Sequence, residues 1–95
     1  MSAYVIVEIE IIDAAMYEHV KEQTPPVVAQ YGGEYLVRGG EVHVAHGDWQ
    51  PKRLVILRFP SLQQARTWEE SAEYSAVKEI RAKCARVNMV MIEGK

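Results

Sequence analysis

The sequence is poor in cysteine, in net charge and in long apolar runs. Its 95 residues include one cysteine, Cys84, so no disulfide can form within the chain, and we expect a reduced, cytoplasmic protein. The formal net charge of −2 leaves no basic surface for nucleic acid. Every apolar run is far shorter than the roughly 18 residues of a membrane span. These absences predict a protein that binds neither nucleic acid nor membranes.

The opening stretch, MSAYVIVEIE, also lacks the basic segment of a signal peptide, and acidic residues interrupt its apolar run. We therefore expect a strand there. What the chain does have is a large apolar share, 48% of its residues. Because no linker, low-complexity tract or internal repeat divides it, the sequence predicts one domain over residues 1–95.

Short runs rich in β-branched residues predict the strands of a sheet. They lie at residues 3–9, 34–38, 41–46, 53–59 and 86–92. Gly39 and Gly40 separate the second run from the third and form either a hairpin turn or a bend within one long strand. The bend is favoured because stronger turn residues follow in HGDWQPK.

Helical periodicity occupies the intervals between these runs. The expected helix caps are Asp13, Ser61 with Gln64 three positions later, and Ser71. Thr24-Pro25 starts a second short helix or bends the first, and Gly32 ends that region. Cys84 shares an apolar helical stripe and is expected to be a buried structural thiol. The resulting order is the split βαβ plan of the ferredoxin-like fold, an α+β domain with a four-stranded antiparallel sheet.

The predicted strands are apolar on both faces. In residues 53–59, Leu57 and Phe59 point to one face, whereas Leu54 and Ile56 point to the other. The helices of one chain can cover only one face of such a sheet. A second copy packed sheet to sheet would cover the other face, so the pattern predicts a homodimer.

Fixed spacings of glycine, aromatic and charged residues run through most of the chain. They are Arg38-Gly39-Gly40, Gly47-x-Trp49-x-Pro51-x-Arg53, Phe59-Pro60 and Trp68-x-x-Ser71-x-x-Tyr74. Together with the C-terminal IEG, they resemble the DUF1330 family over nearly the whole chain. The resemblance implies a small bacterial protein without an assigned function, which forms a dimeric α/β barrel. The wider superfamily includes haem-degrading members and enzymes that act without a metal on small aromatic or quinone-like molecules.

Two positions depart from the family pattern. His46 stands where relatives usually have an acid, and Ala72 stands where they often have proline. The first difference replaces a carboxylate by an imidazole, so a role of that acid in relatives does not carry over. The second only softens a helix start.

The histidines do not predict a metal site. On a strand, His43 and His46 would point to opposite faces and could not share an ion. The sequence has no CxxC, no HExxH and no carboxylate cluster. We therefore expect neither a metal nor a cofactor.

His46 is nevertheless the one candidate catalytic residue. It ends a predicted strand near Asp48, and an Asp–His pair is a serviceable general base. The alternative is an edge histidine that hydrogen-bonds the loop.

Two arginines are candidates for ligand recognition. Arg38 is a cation within an apolar strand, and Arg53 begins the next strand. A guanidinium in such a place requires water, an acid or a bound anion. The alternative to a ligand is an ion pair with Glu34, with Glu41 or with an acid of a second copy.

Three aromatic residues complete the candidate set. Trp49 lies in a turn, where its ring needs a cover, and it is either a dimer anchor or a pocket wall. Trp68 has core spacing on a helix, but its indole N–H needs a partner. Tyr74 either packs or donates into a cleft.

The sequence thus predicts that a homodimer binds, or transforms without a metal, a small anionic or aromatic molecule in a cleft between sheet and helices. The candidate ligand-binding residues are Arg38, His46, Trp49, Arg53, Trp68 and Tyr74. The alternative is a non-catalytic interaction or structural module, in which Arg38, Trp49 and Arg53 are interface residues. The sequence does not decide whether the chain is an enzyme.

Overall fold

Four antiparallel strands form one sheet, and three helices cover one of its faces. The elements are β1 (Ala3–Ile11), α1 (Ala14–Gln30), β2 (Glu34–Arg38), β3 (Arg53–Phe59), α2 (Leu62–Glu69), α3 (Ala72–Ala82) and β4 (Ala85–Glu93). The computed structural model describes every residue from Met1 to Lys95. The strand order is β2-β3-β1-β4, and all neighbouring strands are antiparallel. This arrangement confirms the predicted ferredoxin-like fold.

Each helix begins at the capping side chain that the sequence predicts, namely Asp13, Ser61 and Ser71. In each case the side-chain oxygen accepts a hydrogen bond at 3.1 Å from the backbone N–H three residues later. These bonds satisfy N–H groups that lack a partner in a first helical turn. The Gln64 side chain donates to the Tyr31 carbonyl at 2.9 Å, so the reciprocal half of the expected capping box is not formed.

Helix α1 runs unbroken through Pro25 and Pro26, so Thr24 continues the first helix and does not start a second. Proline has no N–H, and Pro25 therefore leaves the carbonyl of Lys21 without its helical partner. Arg38 of β2 donates to that carbonyl from Nη2 at 2.8 Å. The strand thus supplies the hydrogen bond that the helix lacks.

The hydrophobic core lies between the sheet and the helices. Its largest fully buried side chains include Trp68, Phe59 and Leu57. The Trp68 ring packs 5.1 Å from Phe59 and 4.2 Å from Tyr74, measured between ring centroids, and this packing fixes the indole. Cys84 is buried as expected, and burial raises the pKa of its thiol.

The other face of the sheet, here called the open face, is uncovered in the single chain. Val90 and Ile92 on this face are 59% and 56% exposed. The molecule measures 32 × 32 × 16 Å, as one sheet with one helical layer must. None of the three helices has the length and hydropathy that a bilayer span requires.

Residues 41–46 are not a strand, and this prediction was wrong. Strand β2 ends at Arg38, and residues 39–52 form an exposed connection without helix or strand. Gly39 takes a φ of +72°, a conformation that ends the strand and that glycine adopts at little cost. The segment has the alternating valines of a strand, but a strand also needs a neighbour for its backbone groups. Because β3 starts only at Arg53, neither the bend nor the hairpin interpretation of the glycine pair holds.

Candidate functional site

A cleft lies between the covered face of the sheet and the helices α1 and α3. Its interior volume is about 40 Å³, which is room for a few water molecules or for the head group of a small ligand. Strands β1 and β3 contribute apolar side chains to the lining, and Trp68 contributes its indole. The phenol rings of Tyr17, Tyr35 and Tyr74 also line the cleft.

The cleft is cationic. Lys21, Arg38, Arg53 and Arg81 line it, and no acidic side chain does. Lys21 pairs with Glu18 on the outer surface of α1 at 3.5 Å, whereas the three arginines form no ion pair. The whole chain has 13 acidic residues against 11 lysines and arginines. The lining therefore departs from the composition of the chain, and its positive potential favours anions.

A β-bulge brings Arg38 to the cleft. Tyr35 lies opposite Leu57, but Arg38, three residues later, lies opposite Val55, because β2 carries one extra residue between them. Residues three apart on a regular strand face opposite sides, so without the bulge Arg38 would point to the open face. Its guanidinium lies 5.1 Å from the centroid of the Tyr35 ring, within range of a cation–π contact.

Neither of the ion pairs expected for Arg38 within the chain is formed. Glu34 pairs with Arg58 on the open face. Glu41 lies in the exposed connection and makes no ion pair. The Arg38 guanidinium hydrogen-bonds the Lys21 carbonyl, which accounts for one of its donors.

Arg53 rests against the backbone of Gly39. A side-chain carbon on Gly39 would come within 2.6 Å of the guanidinium carbon, so any other residue at this position would displace the Arg53 guanidinium. The Nε of Arg53 is buried and has no hydrogen-bond partner. Burial raises the pKa of the nearby Tyr17 phenol, and the positive charge of Arg53 opposes that rise.

Trp68 presents a second unpaired donor. The side chain is fully buried, and its Nε1 has no hydrogen-bond partner. A buried polar group that loses its partner costs about 1–3 kcal/mol. The indole N–H of Trp68, for which the sequence predicts a hydrogen-bond partner, therefore has no partner within the chain.

The phenols of the cleft are neutral at physiological pH. Burial raises the pKa values of Tyr17 and Tyr74 and raises that of Tyr35 to about 12. The Tyr74 hydroxyl accepts a hydrogen bond from Arg81 Nη1. These phenols act as hydrogen-bonding groups and not as bases, and the lining contains neither histidine nor carboxylate.

His46 and Trp49 do not line the cleft. His46 is exposed and makes no hydrogen bond to Asp48, so the Asp–His pair does not form in the chain. Trp49 is 61% exposed, and its indole donates to Glu8 Oε2 at 3.0 Å on the open face. This error follows from the wrong strand prediction for residues 41–46, in which His46 and Arg38 are neighbours across the bend at Gly39 and Gly40. No group of three or more His, Cys, Asp or Glu side chains is close enough to hold a metal.

Four of the candidates, Arg38, Arg53, Trp68 and Tyr74, do line the cleft together. Sequence reasoning missed five other lining residues with polar groups: Tyr17, Lys21, Thr24, Tyr35 and Arg81. A signal was available in the helical spacing. On α1, Tyr17, Lys21 and Thr24 are spaced by four and three residues, so they share one face of the helix. On α3, Arg81 lies seven residues after Tyr74, so these two residues also share one face.

Comparison with solved structures shows the same fold. A protein of unknown function from Rhodopseudomonas palustris has a TM-score of 0.79 and 13% identity, covering 99% of this chain and 82% of that chain. A dimeric ferredoxin-like protein of unknown function from Thermobifida fusca has a TM-score of 0.70 and 15% identity, covering 99% and 92%. A cofactor-independent oxygenase from Streptomyces nogalater has a TM-score of 0.68 and 8% identity, covering 99% and 93%.

No curated protein matches the chain. A family model, described as a domain of unknown function (DUF1330), matches residues 2–95. The match confirms the resemblance seen in the spacings around Arg38, Trp49 and Trp68. The chain therefore belongs to the DUF1330 family.

Proposed function

We propose that this protein is a homodimer that binds a small anionic molecule in the cleft between the sheet and the helices α1 and α3. The observation that carries the proposal is the lining. Arg38, Arg53 and Arg81 meet there without an ion pair, and no acid joins them. Like charges gathered in a partly desolvated cleft repel one another, and an anion relieves that repulsion.

The lining also limits the body of the ligand. Apart from its polar groups, it consists of aliphatic and aromatic side chains, which suit a ligand with an apolar or aromatic portion. The interior volume of about 40 Å³ is well below the roughly 300–1,000 Å³ of pockets for drug-sized molecules. The ligand is therefore small, or its body extends through the mouth of the cleft.

Binding is favoured over acid–base catalysis because the lining lacks a group that titrates near neutral pH. A second candidate function is a cofactor-independent enzyme, which the structural likeness to the Streptomyces oxygenase favours. In that case the arginines would stabilise negative charge that develops on a bound substrate. Both functions require the same anionic ligand in the same cleft.

The homodimer rests on the open face. Its exposed apolar side chains include Val37, Val90 and Ile92, and a contiguous apolar patch on a monomer marks an interaction site. Two of the structural neighbours are described as dimeric. A second copy would also cover Trp49. Cys84 is free and buried, which suits the reducing cytoplasm that we propose as its location.

The alternative, a non-catalytic interaction module, would place Arg38, Trp49 and Arg53 in an interface. Only Trp49 lies on the open face, whereas both arginines line the cleft on the covered face. This separation supports a ligand role for the arginines and an interface role for Trp49.

Thermal unfolding at low ionic strength tests the binding proposal. Acetate, benzoate and inorganic phosphate are each added to untagged protein, and benzamide serves as the neutral analogue of benzoate. We expect at least one anion to raise the unfolding midpoint saturably, because a ligand that binds only the folded state stabilises it. Benzamide should have no effect, and added salt should weaken the anion's effect. Equal stabilisation by benzoate and benzamide, or none by any anion, would contradict the proposal.

A further inference from the structure

Two unpaired N–H donors mark the place of the ligand's head group. Arg53 Nε and Trp68 Nε1 are buried without hydrogen-bond partners, and both side chains line the cleft. The indole cannot turn away to find a partner, because Phe59 and Tyr74 pack against its ring. Both nitrogens are shielded from solvent as well, so neither donor is satisfied within the chain.

We infer that the ligand is a monocarboxylate whose carboxylate oxygens accept hydrogen bonds from Arg53 Nε and from the Trp68 indole. This inference rests on the proposed anion-binding function and names its ligand class. A carboxylate offers two acceptor oxygens at one end of a molecule, and hydrogen bonds from a cation to it are charge-assisted. It leaves the rest of the molecule apolar.

The apolar lining argues against phosphate. Val7, Val55 and Leu57 border the same cleft and offer no donors. A phosphate carries oxygens in every direction, and those that face aliphatic side chains would be desolvated without a partner. A carboxylate of an aliphatic or aromatic acid turns its charge to the two donors and its body to the apolar side chains and the mouth.

Gly39 is a positioning residue for this site. The Arg53 guanidinium occupies the space in which any side chain at position 39 would begin. Gly39 also takes a φ of +72°, and its N–H donates to the Leu54 carbonyl at 2.8 Å, which holds the glycine against β3. Because Gly39 has no side chain, it leaves the Arg53 guanidinium in its place in the cleft. This role accounts for the Arg38-Gly39 motif.

The two tryptophans make the inference directly measurable. The chain has only Trp49 and Trp68, so a ¹⁵N–¹H spectrum contains two indole N–H signals, which the Trp49→Phe variant assigns. Benzoate is titrated into the full-length protein. We expect the Trp68 indole proton to shift downfield saturably as it gains a charged acceptor, while the Trp49 signal on the open face stays in place. Saturable binding of benzoate that leaves the Trp68 signal unmoved overturns the inference.

Variants of Arg53 and Gly39 test the second donor. Arg53→Lys keeps the charge but loses the Nε–H, and we expect benzoate affinity to fall at least about tenfold. Gly39→Ala displaces the guanidinium and should cause a similar loss. Gly47→Ala is the matched control, because Gly47 has a φ of +84° with open space around it. Equal losses in the two glycine variants, or full affinity in Arg53→Lys, would overturn the inference.

The probe series separates this inference from the proposed function. Saturable binding of phosphate in preference to acetate and benzoate overturns the carboxylate assignment but leaves an anion-binding cleft. Failure of all three anions overturns both. Tighter binding of benzoate than of phosphate, with the Trp68 shift, supports both.

Discussion

Along β3, Arg53 and Arg58 belong to the same strand but lie on opposite faces of the sheet, and their surroundings differ. Arg58 is on the open face and forms an ion pair with Glu34. Arg53 is on the covered face, where its Nε has no partner and no acid lines the cleft. On the open face an acid of the chain thus neutralises Arg58. On the covered face Arg38 and Arg81 have only neutral acceptors, a backbone carbonyl and a tyrosine hydroxyl, and Arg53 pairs with no acid.

The apolar groups show the reverse pattern. On the covered face Leu57 is only 2% exposed, because the helices cover it. On the open face Val90 and Ile92 remain exposed. The open face therefore needs a cover for its apolar surface, and the covered face needs a counter-ion for its arginines. In the proposed function, a second copy meets the first need and an anionic ligand meets the second.

The largest effect is expected from a charge on the open face. Val90→Asp puts a carboxylate into the proposed interface, where an unpaired buried charge is strongly unfavourable. Light scattering at micromolar concentration should give about twice the chain mass of 10.8 kDa for the native protein and about the chain mass for the variant. A native protein that is monomeric under these conditions would contradict the proposed homodimer, and the apolar side chains of the open face would then need a different binding partner.

A substitution on the covered face should act on folding and not on assembly. Leu57→Ala removes a buried side chain beneath the helices and should lower the free energy of unfolding by about 2–5 kcal/mol. The variant should still dimerise. Urea denaturation with light scattering measures both properties, and a monomeric, fully stable Leu57→Ala would reverse the assignment of the two faces.

A smaller loss of stability is expected from the hydrogen bond between Arg38 and the Lys21 carbonyl. This bond stands in for the backbone bond that Pro25 cannot donate. Arg38→Ala removes the donor to the Lys21 carbonyl. Because this hydrogen bond is exposed, the loss should be about 0.5–1.5 kcal/mol, or several degrees in the unfolding midpoint of a domain of this size. Pro25→Ala restores a backbone N–H at that turn.

The double variant isolates this bond. In the Pro25→Ala background, the stability lost on Arg38→Ala should be smaller than in the native background. Thermal or urea unfolding of the four proteins measures the difference. An identical loss in both backgrounds would show that Arg38 does not act through the Lys21 carbonyl.

Ionisation of the cleft tyrosines should leave the free energy of unfolding independent of pH near neutrality and should lower it gradually in alkali. Burial raises the pKa of Tyr35 from 10.0 to about 12, so the folded state holds this proton more tightly than the unfolded state. Its contribution to stability is complete below pH 10 and is lost as the pH rises from 10 towards 12. Absorbance titration near 295 nm of the native protein and of Tyr35→Phe checks the assignment. A Tyr35 signal that titrates near pH 10 would show that the ring is not desolvated.

The fold could be predicted because its signals are local. The caps Asp13, Ser61 and Ser71 act within one helical turn, and the β-branched runs match β1, β3 and β4. Residues 41–46 have an equally good local pattern, but strand formation depends on a partner that the pattern does not contain.

The candidate site could be predicted only in part. Arg38 and Arg53 stood out as cations within or beside apolar strands. Tyr17 and Arg81 did not stand out in the sequence. They reach the cleft because α1 packs against α3, and these two helices lie far apart in the sequence. The bulge that turns Arg38 towards the helices has no signature in the residues around it. Tertiary packing therefore determines which polar groups meet.

Calorimetric titration of benzoate into the native protein, Arg53→Gln and Arg58→Gln tests the difference between the faces most directly. Both substitutions remove one positive charge from the same strand, so long-range electrostatics change alike. We expect at least about tenfold weaker binding for Arg53→Gln, because the charge-assisted hydrogen bond from Arg53 Nε is lost. Arg58→Gln, which breaks only an exposed ion pair, should bind nearly as the native protein does. Equal affinities in the two variants, or no binding by the native protein, would contradict it.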